Sequence, residues 1–414
     1  MFSGKVFKKS ISFVLILLFT ILCIFPASAA GDVDISSTFD DVEAKAAFVV
    51  DHTTGEILYS YNADKPLPPA STTKIITTLL VLEAVERGEI SLDDKVLVTN
   101  YAVSALYPNA SRMQIPLVAG EYLSLLDLLY ANMVSSDCFA SNVLGEYLCG
   151  NLSDFVDLMN SRAEELGCED THFANPSGYP SSPMYATARS LYIITAECLK
   201  YDTFREIVSA SEYVIPATNL KKERTLINTN MLLSMYLEVT EDEPEPNEYY
   251  YEYATGIKTG HTSEAGYCLV SSAEKDGHEI VAVVLGCKSI HYQFSETIRI
   301  FDHYFNFIAE RTEKERIERE ERERQERLQL CKSKFDARKS IVLENSDSAE
   351  IIRGKVMEED EAVRLAFEEK RQAELNNRLQ IISIASLVCI LLILILTATL
   401  CIRKVVKRKK LVHK

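Results

Sequence analysis

Ser71 and Lys74 bring a hydroxyl and an amine to the head of an apolar run, Ile75-Ile76-Thr77-Thr78-Leu79-Leu80-Val81-Leu82. A helix starting near Ser71 sets Lys74 one turn on, above the same face and within reach for proton transfer. Burial of that helix start disfavours the ammonium form of Lys74 and leaves an amine able to act as a base. The field at a helix N-terminus favours negative charge developing on Ser71. Alone, the pair is ordinary: a serine at a helix start is usually a cap, and a lysine three residues later is usually solvated. Two later stretches supply partners. Ser136-Asp137-Cys138 falls in a turn between helical stretches, and Lys258-Thr259-Gly260 stands at the start of a strand. Each has a plain structural reading, Ser136 as a helix cap and Lys258 as a strand-edge charge. All three occurring in register is far less ordinary than any one of them.

Positioning these groups takes a sheet and a set of helices. Residues 46–51 and 56–61 are predicted strands around a Thr53-Thr54-Gly55 turn. The helix after Ser71 runs to about Arg87 and stops at Gly88. Residues 92–116 are loop-rich. Residues 124–148 are helical with a break at 133–137, and a further helix from Leu152 is stopped by Gly167. Asn175-Pro176-Ser177-Gly178-Tyr179-Pro180 is a turn-rich loop, and residues 187–199 are helical again. Residues 200–240 carry no clear pattern, and residues 241–248 form a solvated acidic excursion. Residues 267–273 and 279–285 are strong strands about the hairpin turn Lys275-Asp276-Gly277-His278. An amphipathic helix follows over residues 294–309. Strands at both ends with helices between them imply an α/β fold of the α+β kind: a mostly antiparallel sheet, completed by both ends of the region, flanked by helices and carrying an inserted helical subdomain.

The 414 residues hold one large domain or two ordinary ones, and 47% hydrophobic content with twenty Tyr and seventeen Phe supports a substantial core. A formal net charge of −16 argues against nucleic-acid binding. The ten Cys form no CxxC pair and no zinc-type spacing, so buried thiols are expected, and neither a metal nor a cofactor is. Lys5, Lys8 and Lys9, an apolar stretch over residues 11–25, and Ala27-Ser28-Ala29 describe a signal peptide over residues 1–29, cut after Ala29. Residues 30–44 follow as a linker. At the other end, residues 381–402 form an apolar run long enough to cross a bilayer of about 30 Å. Arg403, Lys404, Lys407, Arg408, Lys409 and Lys410 begin a basic tail, residues 403–414, expected on the cytoplasmic side. Between domain and membrane, residues 310–380 are expected to form a charged, largely helical stalk: Glu and Arg alternate at i,i+3 and i,i+4 without apolar a and d positions. These limits leave residues 45–309 as an exported, membrane-tethered domain.

The set Ser-x-x-Lys, a Ser-led turn and Lys-Thr-Gly resembles that of class A β-lactamases and penicillin-binding proteins. The closer resemblance is to the low-molecular-weight penicillin-binding proteins, the serine D-alanyl-D-alanine carboxypeptidases of the SxxK acyltransferase group. Asp51-His52-Thr53-Thr54-Gly55-Glu56-Ile57-Leu58 resembles their first hairpin, and Pro68-Pro69-Ala70-Ser71-Thr72-Thr73-Lys74 their nucleophile segment. Asn175-Pro176-Ser177-Gly178 with Thr187-Ala188-Arg189 resembles their central loop, and Gly256-Ile257-Lys258-Thr259-Gly260-His261-Thr262 their third motif. The likeness covers about residues 45–305 and implies a β-lactamase/transpeptidase-like fold. Two departures stand out. Cys138 takes the position where the second motif ordinarily carries Asn, and sulfur is a much weaker partner than an amide. The small β-rich module that often follows the catalytic domain is not legible in the charged stretch.

The resemblance implies acyl transfer through a serine ester. Ser71 attacks the carbonyl between the terminal D-Ala residues of a peptidoglycan stem peptide, and neutral Lys74 accepts its proton. Ser136 relays a proton to the leaving nitrogen. Lys258, keeping its charge, and Thr259 hold the terminal carboxylate, with Arg224 as a further candidate. Gly260 lets the strand approach the substrate, and the backbone N–H groups of Ser71 and His261 form the oxyanion hole. Cys138 lies among the substrate-binding positions. β-Lactams are expected to acylate Ser71. Two alternatives remain: a β-lactamase, with Glu164, Glu165 or Glu169 activating water, and a non-hydrolytic sensor of β-lactam or muropeptide, which Cys138 keeps open.

Overall fold

The computed structural model describes residues 42–104, 110–235 and 246–344, with 364, 365 and 372. The expected signal peptide, membrane span and basic tail lie outside the described residues. Among the described residues, no helix is long and apolar enough to cross a membrane. Contacts divide the chain into two units, 1–313 and 314–414.

The first unit is built on a five-stranded antiparallel sheet: β1 (Ala46–Asp51), β2 (Glu56–Tyr61), β7 (Ala254–Thr262), β8 (Gly266–Lys275) and β9 (His278–Cys287). The strand order is β2-β1-β9-β8-β7. The first strand pairs with the last, Ala46 opposite Leu285 and Asp51 opposite Ile280, so both ends of the region complete one sheet as expected. The β8–β9 turn falls on Asp276 and Gly277, both at positive φ, the backbone a tight type I′ hairpin needs. Period-two alternation divides the buried side chains. Phe48, Val50, Val281 and Val283 face a core shared with the helical region. Val49, Ala282 and Val284 face a second core with Phe294, Phe301 and Tyr304.

Between β2 and β7 the chain folds into α1 (Lys74–Glu86), α2 (Asn100–Ser104), α3 (Leu125–Met133), α4 (Cys138–Cys149), α5 (Leu152–Glu165), α6 (Ala188–Cys198) and α7 (Asp202–Ser209). Two small hairpins, β3 (Lys95–Leu97) with β4 (Tyr122–Ser124) and β5 (Glu212–Ile215) with β6 (Arg224–Ile227), sit among them. Helix α1 is buried along nearly its whole length, which its continuous apolar run requires. Ser124 and Asp127 close a capping box at α3, fixing where that helix begins.

The structure changes several expectations. Residues 200–240 contain α7, the β5–β6 hairpin and a 3-10 turn at Met231–Leu233, elements too short to leave a period in the sequence. Residues 42–44 are not free linker, since Val42 and Ala44 pack on the second core and Glu43 pairs with Lys288 at 2.5 Å. Asn247, expected in the solvated excursion, is buried and donates to the carbonyls of Met231 and Ser234. The amphipathic helix and the charged stretch after it are one helix, α8 (Ile290–Glu344). In the second unit its side chains through residue 340 are almost all exposed, with Arg316 and Glu320 paired one turn apart at 2.5 Å. The cysteines from Cys138 to Cys331 are free thiols.

Candidate active site

Ser71 does not open the helix directly. It sits in a 3-10 turn, Ala70–Thr73, that leads into α1, and Lys74 is the first residue of that helix. Thr72 Oγ1 donates to the Pro69 carbonyl at 2.6 Å and tightens this turn. Lys74 still lands beside the serine, its Nζ 3.0 Å from Ser71 Oγ. The same Nζ donates to the Ser177 carbonyl at 2.6 Å and lies 3.5 Å from Cys138 Sγ. Below it, Asn132 Nδ2 and Thr78 Oγ1 reach the Lys74 carbonyl, and Ser141 Oγ donates to Asn132 Oδ1 at 2.7 Å. Hydrogen bonds across α1, α3 and α4 therefore hold the lysine backbone, while a loop carbonyl aims its amine.

That loop is the segment around Asn175. Asn175 Oδ1 accepts from the backbone N–H groups of Ser177, Gly178 and Tyr179, folding the chain tightly on itself. Thr77 Oγ1 donates to the Pro176 carbonyl at 2.7 Å and ties the loop to α1. Gly178 lies against the Ala70–Thr73 turn at a φ of +78°, where an added Cβ would stand 1.8 Å from the Ala70 carbonyl oxygen.

Ser136 is not a helix cap: Asp137 caps α4 through Oδ1 on the Ala140 N–H, and its Oδ2 accepts from the Met113 N–H at 2.8 Å. Ser136 itself is buried at a φ of +56° and lines the same cavity as Ser71, but it is not among the three partners of Lys74 Nζ. Burial is the largest influence on Asp137 and pushes its carboxyl up, against the hydrogen bonds and Lys74 that favour its charge.

The opposite wall is β7, one edge of the sheet. Lys258 is fully buried and donates to the Thr259 carbonyl at 3.1 Å. Burial first and the neighbouring Lys74 second push its ammonium well below the ordinary lysine range, with Cys138 opposing. Burial and a second amine therefore weigh against the charge that Lys258 is expected to keep. Thr259 Oγ1 lies 2.6 Å from Thr229 Oγ1. Gly260 lines the cavity and also meets the Ala70–Thr73 turn: a Cβ there would stand 3.0 Å from Ser71 N and 3.1 Å from Thr72 N, so its bareness lets β7 touch that turn. The His261 ring stacks on Tyr267 with centroids 4.1 Å apart.

These groups line a cavity of about 590 Å³ that contains Ser71, Ser136, Cys138, Thr259, Gly260 and His261. No carboxylate lines it among the described residues. Glu164, Glu165 and Glu169 are exposed elsewhere, and the group beside Lys74 is the Ser177 carbonyl. Arg224 is also elsewhere. It is buried and ion-paired with Glu121, and donates to the Ile115 carbonyl at 3.1 Å. Sequence reasoning missed three contributors: the Ser177 carbonyl, Asn132 and Thr229. The Asn-Pro-Ser-Gly run signalled a tight loop but not its target, and Thr229 lies in the stretch that carried no pattern. Among the described residues there is no cluster of His, Cys, Asp and Glu able to hold a metal.

The family profile described as D-alanyl-D-alanine carboxypeptidase matches residues 33–289. D-alanyl-D-alanine carboxypeptidase DacF of Bacillus subtilis is 33% identical over 264 residues, which are 64% of this chain and 62% of that protein. The match thus spans less than two thirds of this relative. The crystal structure of the Streptomyces K15 DD-transpeptidase superposes with a TM-score of 0.57 at 30% identity, covering 64% of this chain and 98% of that one. Penicillin-binding protein D2 of Listeria monocytogenes, in its ampicillin-bound form, superposes with a TM-score of 0.53 at 29% identity, covering 63% and 97%.

Proposed function

The chain belongs to the D-alanyl-D-alanine carboxypeptidase family, and we propose that it removes the terminal D-Ala of peptidoglycan stem peptides through an ester on Ser71. The observation that carries this reading is the 3.0 Å contact of Lys74 Nζ with Ser71 Oγ, in a cavity walled by Thr259 and Gly260 of β7. Lys74, as the amine, takes the Ser71 proton while Oγ attacks the carbonyl carbon. The carbon–nitrogen bond then breaks, and the proton passes from Lys74 through the Ser136 hydroxyl to the departing D-Ala nitrogen. Water attacks the ester, gives its proton back through Lys74, and Ser71 is restored. Backbone N–H groups of Ser71 and His261 face the developing oxyanion, a contribution of roughly 3 kcal/mol per donor.

The substrate's terminal carboxylate lies at Lys258, Thr259 and Thr229. An anion beside Lys258 opposes the effect of burial and favours its ammonium form, so the substrate supplies the counter-charge that the free site lacks. Cys138 keeps the Asn position filled and touches Lys74 at 3.5 Å, a weaker hold than an amide gives. β-Lactams acylate Ser71 by presenting the same carbonyl and carboxylate.

Incubating the full chain with diacetyl-L-Lys-D-Ala-D-Ala tests this. D-Ala release that disappears in Ser71→Ala supports the carboxypeptidase. Penicillin acylation without D-Ala release sinks it in favour of a non-hydrolytic sensor, and rapid penicillin turnover in favour of a β-lactamase.

The same reading places residues 45–309 outside the cytoplasmic membrane, exported by residues 1–29. The charged helix then serves as a stalk to a single-pass anchor at residues 381–402, with the tail 403–414 inside. The lysines before the first apolar run and the basic cluster after the second support it. Expression of a chain ending at residue 380 should release activity into the medium, whereas the full chain should sediment with membranes. Equal partition of the two would remove the anchor.

A further inference from the structure

A second cavity of about 320 Å³ shares lining residues with the first, and the loop around Asn175 forms part of its wall. Tyr179 and Pro180 line both cavities. That loop is also the one whose Ser177 carbonyl holds Lys74. Leu152 and Val156 of α5, with Pro176, give the second cavity apolar walls. Ser153, Asp157 and Ser181 supply hydroxyls and one carboxylate. No lysine or arginine lines it among the described residues, so its chemistry does not suit an anion. Its volume is at the small end for ligand sites, room for one ring rather than several peptide residues.

Apolar walls, a tyrosine ring and a polar margin match the surface of a pyranose, whose C–H faces are apolar and whose edge carries hydroxyl and amide groups. The position matters as much as the chemistry. With the terminal carboxylate at Lys258 and Thr229, the rest of a stem peptide leaves the catalytic cavity elsewhere, and Tyr179 and Pro180 lead from one cavity to the other. We propose that the second cavity is a glycan subsite taking an N-acetylated amino-sugar residue of the polymer that carries the stem peptide. This rests on the peptidoglycan reading above. It adds that the protein recognises its peptide together with the sugar.

The test uses the full chain and the exposed variants Asp157→Ala and Ser153→Trp, neither in the catalytic machinery. The uncharged, peptide-free disaccharide N,N′-diacetylchitobiose should bind the wild type in saturation-transfer NMR. Binding should weaken about tenfold in Asp157→Ala, the size expected for losing a hydrogen bond to a charged group, and disappear in Ser153→Trp. Disaccharide-linked pentapeptide should be cleaved with a kcat/KM about tenfold above that of diacetyl-L-Lys-D-Ala-D-Ala, and both variants should erase that ratio while leaving the free peptide's turnover unchanged. Absence of disaccharide binding, or binding that survives both variants, overturns the subsite. If sugar binding follows the variants but neither substrate loses D-Ala, the subsite stands and the carboxypeptidase reading falls.

Discussion

Replacing Gly178 by alanine should disable the site from a residue that carries no chemistry of its own. Its new Cβ would stand 1.8 Å from the Ala70 carbonyl oxygen, 2.4 Å from the Ala70 carbonyl carbon and 2.9 Å from Thr73 Oγ1. These are mostly backbone atoms of the nucleophile turn, so no side chain can swing aside. To reach ordinary contact the loop must retreat by about 1 Å or more, and the neighbouring Ser177 carbonyl moves with it. Its 2.6 Å bond to Lys74 Nζ is then out of reach. Leaving the buried Lys74 amine without that acceptor costs about 1–3 kcal/mol, and holding alanine at a φ of +78° costs about 1 kcal/mol more. The expected stability loss is therefore about 3 kcal/mol, and a displacement of about 1 Å at the general base lowers the rate by roughly 100-fold. Urea unfolding gives the first quantity; D-Ala release and acylation by a fluorescent penicillin give the second. Gly167→Ala is the control, since Gly167 has nearly the same φ, +77°, with nothing within 4 Å of its added Cβ. It should show the conformational cost alone. If Gly178→Ala behaves like Gly167→Ala in both assays, the loop does not aim Lys74 and the reasoning fails.

Gly260→Ala should be milder: its Cβ needs only a few tenths of an ångström from Ser71 N and Thr72 N, so stability should change little while kcat falls about tenfold. Wild-type acylation rates in this variant would show that β7 need not touch the turn. Lys258→Met should abolish turnover yet stabilise the fold, with a definite pH dependence. The folded protein holds the Lys258 proton less tightly than the unfolded chain, whose lysine titrates near 10.5. Between the depressed folded value and 10.5 the unfolded state binds more protons, so wild-type stability rises with pH across that window and its burial cost is full below it. The advantage of Lys258→Met in urea unfolding should be larger near pH 7 than near pH 10, and the opposite trend would contradict the buried-amine account. Arg224→Met leaves Glu121 buried without its partner and should cost about 3–5 kcal/mol of stability, while D-Ala release per folded molecule stays unchanged. A raised KM at unchanged stability would return Arg224 to the carboxylate site.

The sequence by itself determined the family and four of the five strands of the sheet, whereas β7, with Lys258 at its middle rather than its start, took shape only in the fold. Strands β1, β2, β8 and β9 declare themselves through short runs of β-branched and aromatic residues bounded by Gly-containing turns, both local signals. Ser71 with Lys74 and Lys258 with Thr259 and Gly260 are short motifs that survive as text because their members are neighbours in the chain. Tertiary structure decided what those residues rest on. Ser177 acts through a backbone carbonyl, which no residue type advertises, and it meets Lys74 from 103 residues away. Thr229 reaches Thr259 from a stretch whose elements are three to eight residues long, too short to show a period. Arg224 looks like a ligand for a carboxylate until burial assigns it to Glu121. Lys258 looks like an ordinary solvated cation until the fold removes it from water and sets a second amine nearby, which weakens its hold on the proton. In each case the deciding quantity is desolvation or a contact across the chain, and both exist only once the chain has folded.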